Sequence, residues 1–457
     1  MAFLTHDKNF YRNLLVLTIP VALQNLITFA VTLADNLMTG ALGDAAISGV
    51  YMGTQIQTLL QLFSGGIEGA ILILAAQYWG KADSRSIKRI ISIGVHFTLL
   101  VGTLFTVLCA LFPTAILGIF TNEVAVIVEG ADYLRIVCFS YLFFCLTQAL
   151  IAAMRSVEVA NIGMTVSAAS LITNVSLNYV LIFGKFGFPA LGVKGAAIAT
   201  LVSRIVEAVI MAVYVFRIDH RLRLKLSDFF KTDPLLRRDF IRYGIPIVGG
   251  QIIWGVNMMG NSMILGRFDQ SVIAGASIAN TMNALAYVTM NGMSAAVSII
   301  TGKTVGAGKI EQLKEYARTV QILFLGVGIL TGSLVALTKT PFIGMYAGVS
   351  PETAGYAQQF CTVLSITSVG TCYQAACLAG LVKSGGDVGF VFKMDMFFVL
   401  LVVLPSAVIS ARLGAPAWLV FACLKCDQIL KCVVAYFKIK SYNWIKNLTR
   451  ESVVDKK

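Results

Sequence analysis

One carboxylic acid lies among amide and hydroxyl side chains inside a run of sequence that is otherwise apolar. The polar members of this run are Asn25, Thr28, Thr32, Asp35 and Thr39. They are spaced by three or four residues, so an α-helix places them on one face. A carboxyl group in poorly solvated surroundings favours its neutral form, so Asp35 could load and release a proton. Alternatively, its carboxylate could hold Na⁺ with backbone oxygens and amide oxygens from another helix.

Four further runs carry polar stripes at helical spacing. They consist of Thr54, Gln57, Gln61, Gly65 and Glu68; of Ser167, Ser170, Asn174 and Asn178; of Gln251, Trp254, Asn257 and Asn261; and of Asn280, Asn283, Tyr287, Asn291 and Ser294. Single residues of this kind join membrane helices by hydrogen bonds, but five stripes exceed that need. They predict a water-accessible cavity lined by helices 1, 2, 5, 7 and 8. Glu68 could couple to an ion or serve as a structural hydrogen-bonding group.

The chain repeats itself at an offset of 226 residues. The pairs are Pro20 with Pro246, Asp35 with Asn261, Gly40 with Gly266, Gly49 with Gly275, Gly80 with Gly306, Gln148 with Gln374 and Gly163 with Gly389. A gap-free offset over such a span indicates duplication, and many secondary transporters are built from duplicated halves.

Composition places both halves in a bilayer, since 57% of the residues are hydrophobic, 13% are charged and the mean hydropathy is +0.80. Apolar runs long enough to span are predicted near 14–39, 46–78, 90–112, 128–154, 159–183, 193–216, 240–265, 272–302, 317–338, 354–381, 389–409 and 416–437. Six helices per half leave both halves with the same orientation. The first run is a full-length span without a following cleavage pattern, so we expect no removed signal peptide.

Basic residues predict the orientation, because Lys and Arg stay on the cytoplasmic side during insertion. With both termini inside, most of the 36 Lys and Arg fall in cytoplasmic segments. This bias explains the net charge of +13 through contact with anionic lipid rather than nucleic acid. Inside the helices, Arg204 with Glu207 and Asp427 with Lys431 have the spacing of internally paired charges.

Several function classes lack their motifs. The stretch 303–310 has Lys303 and Ile310 where a phosphate loop needs glycine and a hydroxyl residue. The three histidines, His6, His96 and His220, are too scattered for a metal site. We therefore expect neither an enzyme nor an ATP-driven pump and no cofactor, which leaves an ion gradient as the energy source.

Specific stretches resemble the multidrug and toxic compound extrusion (MATE) family across essentially the whole chain. They are Ile19-Pro20, Ala34-Asp35-Asn36 and residues 40–43 around the first helix; residues 76–83 and their repeat at 302–308; and residues 191–200 at the entry to helix 6. The resemblance implies two bundles around a central cleft, alternating access, and export of bulky, often cationic organic compounds against H⁺ or Na⁺.

The resemblance also implies site residues. Asp35 matches the family's N-half aspartate and Asn174 the asparagine of its fifth-helix motif. Asn178 stands where many members carry an acid, and Trp254 and Cys372 occupy the positions aligned with C-half acids of another branch. We therefore assign cation coupling to Asp35, Asn174, Asn178 and Thr200. The expected substrate cavity comprises Thr28, Thr32, Gln57, Gln61, Glu68, Trp254, Asn257, Asn261, Asn280, Asn283 and Tyr287.

The predicted protein is an all-α integral membrane protein with twelve transmembrane helices in two six-helix parallel-repeat bundles. The bundles span 1–216 and 240–437, with a cytoplasmic basic linker at 217–239 and a cytoplasmic tail at 438–457. We expect a monomeric, multi-pass cell-membrane antiporter for small organic compounds, driven by H⁺ or Na⁺. The alternative is a flippase for lipid-linked saccharides, although its anionic cargo favours a cavity lined by Arg or Lys. A channel or receptor would need a continuous pore or a ligand domain, and neither is indicated.

Overall fold

The described chain is helical, as the long apolar runs require. The computed structural model describes residues 4–346 and 349–450; at residues 44–45, 285–286 and 289 it describes the backbone alone. Within those residues no strand is present beyond an isolated bridge between Gly386 and Ile445. The α-helices are α1 Lys8–Gly40, α2 Asp44–Gly80, α3 Ser84–Leu111, α4 Pro113–Leu117, α5 Val124–Val137, α6 Ser140–Ser156, α7 Asn161–Phe183, α8 Val193–Val213, α9 Pro234–Leu265, α10 Gln270–Gly306, α11 Ile310–Gly344, α12 Pro351–Gln374, α13 Val388–Phe397, α14 Leu404–Arg412, α15 Ala417–Leu424 and α16 Asp427–Ser441.

Length and hydropathy make this a membrane protein. In the described part of the chain eight helices are long and apolar enough to span a bilayer, and α5 with α6, bent by 53°, adds a ninth. Adding α9, α10 and the α15–α16 pair gives twelve, which is consistent with the predicted count. The all-α membrane class is therefore confirmed, while the orientation of the termini stays a prediction.

Helix ends follow local chemistry. Asp83 accepts a hydrogen bond from the Ser86 backbone at the start of α3, and Ser350 caps α12 in the same way. The seventh predicted span begins at Pro234 rather than at 240, because Asp233 accepts from the backbone of Leu235 at 2.8 Å and proline suits the first helical turn. The predicted linker 217–239 is thus partly helical.

Helical irregularities concentrate in the later part of the chain. Segments 214–218, 375–383 and 398–403 have π-helical hydrogen bonding. The last predicted span is interrupted at Lys425–Cys426, between α15 and α16. Wide turns of this kind recur at functional sites.

Packing divides the chain into two units whose limits differ from the two sequence halves. Unit 1 comprises residues 1–22, 76–82 and 249–457, and unit 2 comprises 23–75 and 83–248. Each has its own apolar core: Phe360 and Phe421 stack at 4.5 Å in unit 1, and Leu134 and Tyr141 are fully buried in unit 2. Both α1 and α2 continue from one unit into the other, so division into 1–216 and 240–437 describes the duplication rather than the packing.

Two glycines related by the repeat lie where α2 and α10 approach closely inside unit 1. A Cβ atom on Gly80 would overlap the Lys303 carbonyl oxygen, and one on Gly306 would overlap the Gln77 carbonyl oxygen. The ends of α2 and α10 therefore approach backbone to backbone, which requires residues without side chains. This close approach explains why both repeats carry glycine here.

The segment after α16, residues 442–450, forms a C-terminal strap in unit 1. The side chain of Gln77, which is fully buried, accepts from the Leu448 amide at 2.7 Å and donates to the Ser384 carbonyl at 3.1 Å. Trp444 is also fully buried, and the Lys446 amide donates to the Gly385 carbonyl at 2.7 Å. The strap thereby fixes the end of α2 to the segment between α12 and α13.

A buried carboxylate and amide cluster as the candidate coupling site

The predicted coupling residues Asp35, Asn174 and Asn178 meet inside unit 2. The Asn178 amide nitrogen donates to Asp35 Oδ1 at 2.5 Å and to Asn174 Oδ1 at 3.1 Å. Asn174 and Asn178 are one helical turn apart on α7 and 1% and 0% exposed, whereas Asp35 on α1 is half-buried. The stripe periodicity of α7 thus positions two amides against a single carboxylate.

Two polar atoms of this cluster have no hydrogen-bond partner within the described part of the chain. They are Asn174 Nδ2 and Asn178 Oδ1, both buried. A buried polar atom without a partner costs about 1–3 kcal/mol, so such atoms are expected where a ligand or ion can bind. The oxygens of Asp35, Asn174 and Asn178 are the kind of ligand that a hard cation prefers.

A guanidinium group lies near the cluster, and the sequence did not predict its position. Arg204 on α8 interacts electrostatically with Asp35 while donating to both carboxylate oxygens of Glu207 at 2.8 and 2.9 Å. The predicted pairing of Arg204 with Glu207 is therefore confirmed. Both bonds to Glu207 come from Nη1 of Arg204, and the described residues show no ion pair between Arg204 and Asp35.

Thr200 lies next to Tyr133 rather than in direct hydrogen-bond contact with Asp35. It is buried, its hydroxyl faces that of Tyr133, and Tyr133 in turn interacts with Asp35. Ser203 donates to the Thr200 carbonyl at 2.8 Å. The assignment of Thr200 to cation coupling stays a prediction. In this structure Thr200 is linked to Asp35 through Tyr133, a residue that belongs to none of the predicted polar stripes.

Glu68 belongs to a different polar group of unit 2. It interacts electrostatically with Arg155 of α6 and with the hydroxyl of Ser64, and Arg155 donates to Gln24 Oε1 at 2.6 Å. The guanidinium near Glu68 is bonded to an amide, whereas the one near Asp35 is bonded to the carboxylate of Glu207. No spacing within one helix indicates this pairing, because Gln24, Glu68 and Arg155 lie on three separate helices.

The other predicted cavity residues of the first half lie on exposed or half-exposed faces of α1 and α2. Thr28 and Thr32 are exposed, and each hydroxyl donates to a carbonyl one turn earlier, at 2.9 and 3.2 Å. Gln57 is half-buried and Gln61 is exposed. Their facing a shared aqueous cavity stays a prediction.

The predicted cavity residues of the second half belong to unit 1. Trp254 is 52% exposed and Asn280 is also exposed, whereas Asn257 and Asn261 each have a buried side-chain oxygen without a partner in the described chain. Asn283 and Tyr287, together with Thr371 and Cys372, line a small cavity of about 10 Å³, which is room for about one water molecule. The structure therefore brings two of the six predicted residues to one small cavity.

Comparison with known proteins identifies the kind of molecule that carries this cluster. The sequence model of the MatE family matches residues 20–180 and 246–409. The chain is 28% identical over 339 residues to the probable multidrug resistance protein NorM of Rhizobium meliloti, covering 74% of this chain and 72% of that protein. It is 24% identical over 452 residues to the uncharacterized transporter YisQ of Bacillus subtilis, covering 96% of each.

A solved structure shows the same fold. A crystallised mutant of the Vibrio cholerae MATE transporter VcmN matches with a TM-score of 0.87 at 16% identity, covering 96% of this chain and 98% of that one. The matched family segments begin at Pro20 and at Pro246, the same repeat-related pair that the offset of 226 residues identifies. With both repeats matched over most of their length, this chain belongs to the MatE family, the multidrug and toxic compound extrusion transporters.

Proposed function

We propose that this protein is a secondary active multidrug exporter that moves bulky, often cationic organic compounds in antiport with H⁺ or Na⁺. The observation that carries the proposal is the cluster of Asp35, Asn174 and Asn178, a carboxylate bonded at 2.5 Å to one of two buried amides. Its membership of the MatE family supports transport rather than catalysis. Relatives named as multidrug resistance proteins, such as MdtK of Yersinia pseudotuberculosis, support the class of cargo.

The chemistry of the cluster suits exchange between a small cation and an organic cation. An ionised Asp35 attracts either one, whereas a neutral, protonated Asp35 attracts neither. Binding of the small cation and of the cargo should therefore compete. Such competition drives alternating access to the extent that each ligand prefers a different conformation.

H⁺ and Na⁺ are both compatible with the donor set. A proton would bind to the Asp35 carboxylate, and its hydroxyl could then donate to an Asn178 oxygen after rotation of the amide. Na⁺ would take oxygens from Asp35 and from the two asparagines. Which of the two ions binds depends on the cost of desolvating it inside the bilayer, and separate pH and Na⁺ gradients distinguish them.

The test is ethidium transport in proteoliposomes with the pH gradient and the Na⁺ gradient imposed separately. We expect export against one gradient, its loss in Asp35→Asn, and its retention in Asp132→Asn. Asp132 is a matched control, since it is a carboxylate of the same unit whose partner Lys194 lies at 3.1 Å on an accessible surface. Equal ethidium movement in wild-type and protein-free liposomes under both gradients would refute the proposal.

A flippase for lipid-linked saccharides is the second candidate, and its anionic cargo needs unpaired cations. In the described part of unit 2, Arg204 is paired with Glu207 and Arg155 has the carboxylate of Glu68 nearby, so both guanidinium groups have a neighbouring acid, which favours cationic or neutral cargo. Translocation of a fluorescent lipid-linked saccharide without any ion gradient would favour the flippase instead.

A further inference from the structure

An apolar groove of about 590 Å³ runs along the surface of unit 1 between α11, α12 and α16. Val369 and Gly370 of α12 line its floor, and Leu325 of α11 with Val433 and Tyr436 of α16 line its walls. The three wall residues are 45%, 57% and 48% exposed. Both α11 and α12 are long and apolar enough to span a bilayer, so the groove faces lipid. Its volume is within the range of about 300–1,000 Å³ that binds small molecules.

Close helix packing forms the floor of the groove. A Cβ atom on Gly370 would overlap the Gln428 carbonyl oxygen of α16, and one on Gly328 of α11 would overlap the backbone of Val369. The central helix α12 therefore approaches both neighbours backbone to backbone, as small residues allow in membrane proteins. The depression thus results from the packing of three helices rather than from the rotamer of one side chain.

Two cations lie on the helix faces that line the groove. Arg318 lies seven residues before Leu325 on α11, and Lys440 lies four residues after Tyr436 on α16, so each cation shares the face of its groove residue. Both are exposed, and neither forms a hydrogen bond or ion pair within the described part of the chain. Glu315, three residues before Arg318, is exposed as well and is not paired with it there.

A contact at the ends of α11 and α16 places both cations at the same end of the groove. The ammonium of Lys314 lies 5.4 Å from the centre of the Tyr442 ring. Lys314 is one turn before Arg318, and Tyr442 is two residues after Lys440. Lys314 is itself paired with Glu311 at 2.6 Å, so Arg318 and Lys440 are the cations available to an anionic ligand.

These charges distinguish between possible occupants of the groove. An organic cation, the proposed cargo, would be repelled by Arg318 and Lys440. A second copy inserted in the same orientation would bring the same two cations of each copy to one level of the membrane, which is also unfavourable. A phospholipid with an anionic headgroup fits both features, because its acyl chain is apolar and its phosphate binds Arg and Lys.

We propose that the groove between α11, α12 and α16 binds an anionic phospholipid, with an acyl chain along the groove and the headgroup phosphate against Arg318 and Lys440. On α16, Val433 and Lys440 are seven residues apart, about 10 Å at 1.5 Å per residue, so one lipid can reach both. Basic pockets between membrane helices bind headgroups in this way. The bound lipid would join α11 to α16 across α12, and the proposal does not rest on export.

The test measures which phospholipid the purified protein retains. Native mass spectrometry from dodecyl maltoside follows titration with dioleoylphosphatidylglycerol, which is anionic, or with dioleoylphosphatidylcholine, which has the same chains and no net charge. We expect one phosphatidylglycerol to be retained with about thirtyfold higher affinity, since each cation near an anionic lipid contributes about fivefold. Equal retention of the two lipids would overturn the proposal.

A charge-neutral pair of substitutions tests the headgroup contact. Arg318→Gln with Lys440→Gln should lower the affinity for phosphatidylglycerol by about thirtyfold, to the value for phosphatidylcholine. The control Arg267→Gln with Lys309→Gln removes the same two charges from exposed positions of the same unit and should keep the wild-type affinity. Wild-type retention of phosphatidylglycerol in the first pair, or an equal loss in both pairs, would overturn the proposal.

A bulky residue in the groove tests the acyl-chain contact. Val433→Trp should lower the affinity for both lipids by about tenfold, whereas Leu330→Trp, at a 60% exposed position of α11 outside the groove, should not. Thermal unfolding verifies that both variants fold, and the charge-neutral pair decides the matter if Val433→Trp does not. Undiminished lipid retention in folded Val433→Trp would overturn the proposal. A dimer that retains no lipid and dissociates in Val433→Trp would assign the groove to a second copy and would overturn it too.

Discussion

Replacement of Asn178 by alanine tests the coupling cluster most sharply, because this one amide holds both partners. Its nitrogen is the donor to Asp35 at 2.5 Å and to Asn174 at 3.1 Å. In Asn178→Ala the carboxylate loses its amide donor and Asn174 loses a buried contact. Asn174→Ala removes an acceptor and leaves the bond to Asp35 in place.

The geometry sets the expected size of the effect. A hydrogen bond to a charged group contributes about 1.5–3 kcal/mol, and a neutral one contributes about 0.5–1.5 kcal/mol. Since 1.4 kcal/mol corresponds to about tenfold in an equilibrium constant, Asn178→Ala should reduce gradient-driven ethidium export by about tenfold to about a hundredfold. Asn174→Ala should reduce it by about tenfold or less, and Asp35→Asn should abolish it, since the titrating group is gone.

The assay is the initial rate of ethidium export in proteoliposomes at equal protein content, with folding verified by thermal unfolding in detergent. Asn161→Ala is the matched control, because Asn161 is an exposed asparagine on the same helix, and it should keep the wild-type rate. A larger loss of transport in Asn174→Ala than in Asn178→Ala, or a wild-type rate in Asp35→Asn, would contradict the role assigned to this cluster.

Three further predictions concern unit 1. Gln77→Ala leaves the Leu448 amide and the Ser384 carbonyl without their partner, so the free energy of unfolding should fall by about 2–4 kcal/mol. Thermal unfolding measures this loss, and Gln358→Ala, at an exposed glutamine, should leave the unfolding temperature unchanged. Gly306→Ala forces a Cβ against the Gln77 carbonyl oxygen and should cost about 1–3 kcal/mol, whereas Gly326→Ala, where a Cβ meets open space, should not; equal unfolding temperatures for the two variants would contradict the close approach. Burial alone would raise the pKa of Asp387, but hydrogen bonds from Lys438 and Lys446, both at 2.7 Å, outweigh it and hold that pKa below its ordinary value. Its stabilisation is therefore complete above that ordinary value and lost as pH falls through the lower folded-state pKa, so Asp387→Asn should lower the unfolding temperature at pH 7, and this difference from wild type should shrink as pH falls below the ordinary value.

Features that depend on local periodicity could be predicted from the sequence. Apolar run length predicted the helices, and spacing on one helix predicted the pairs Arg204 with Glu207 and Asp427 with Lys431. The resemblance to the MATE family predicted that Asp35 and Asn174 belong to one site, and both bond to Asn178. In each case the signal is either the period of one helix or a motif carried by neighbouring residues.

Contacts between separate helices could not be predicted in the same way. The approach of Arg204 to Asp35 and the bond between Arg155 and Gln24 depend on how α8 and α6 pack, and no periodicity within a single helix encodes that. The strap is a further example, since residues 442–450 show no apolar or polar stripe. Their backbone groups find Gln77 through the tertiary fold.

The two halves carry different polar residues at equivalent positions of their membrane-spanning helices. At the offset of 226 residues, Asp35 corresponds to Asn261, and the amides Asn174 and Asn178 correspond to Leu400 and Leu404. Conversely, Asp395 corresponds to Ala169, Asp427 to Leu201 and Lys431 to Ile205. The close backbone contacts at Gly80 and Gly306 tolerate no side chain, so both repeats carry glycine there, whereas the buried charges named above occur in one copy each. A charge at both equivalent positions would add a second desolvation cost. The acid and amide cluster of the first half and the ion pairs of Lys431 with Asp395 and Asp427 in the second half therefore lie at non-equivalent positions.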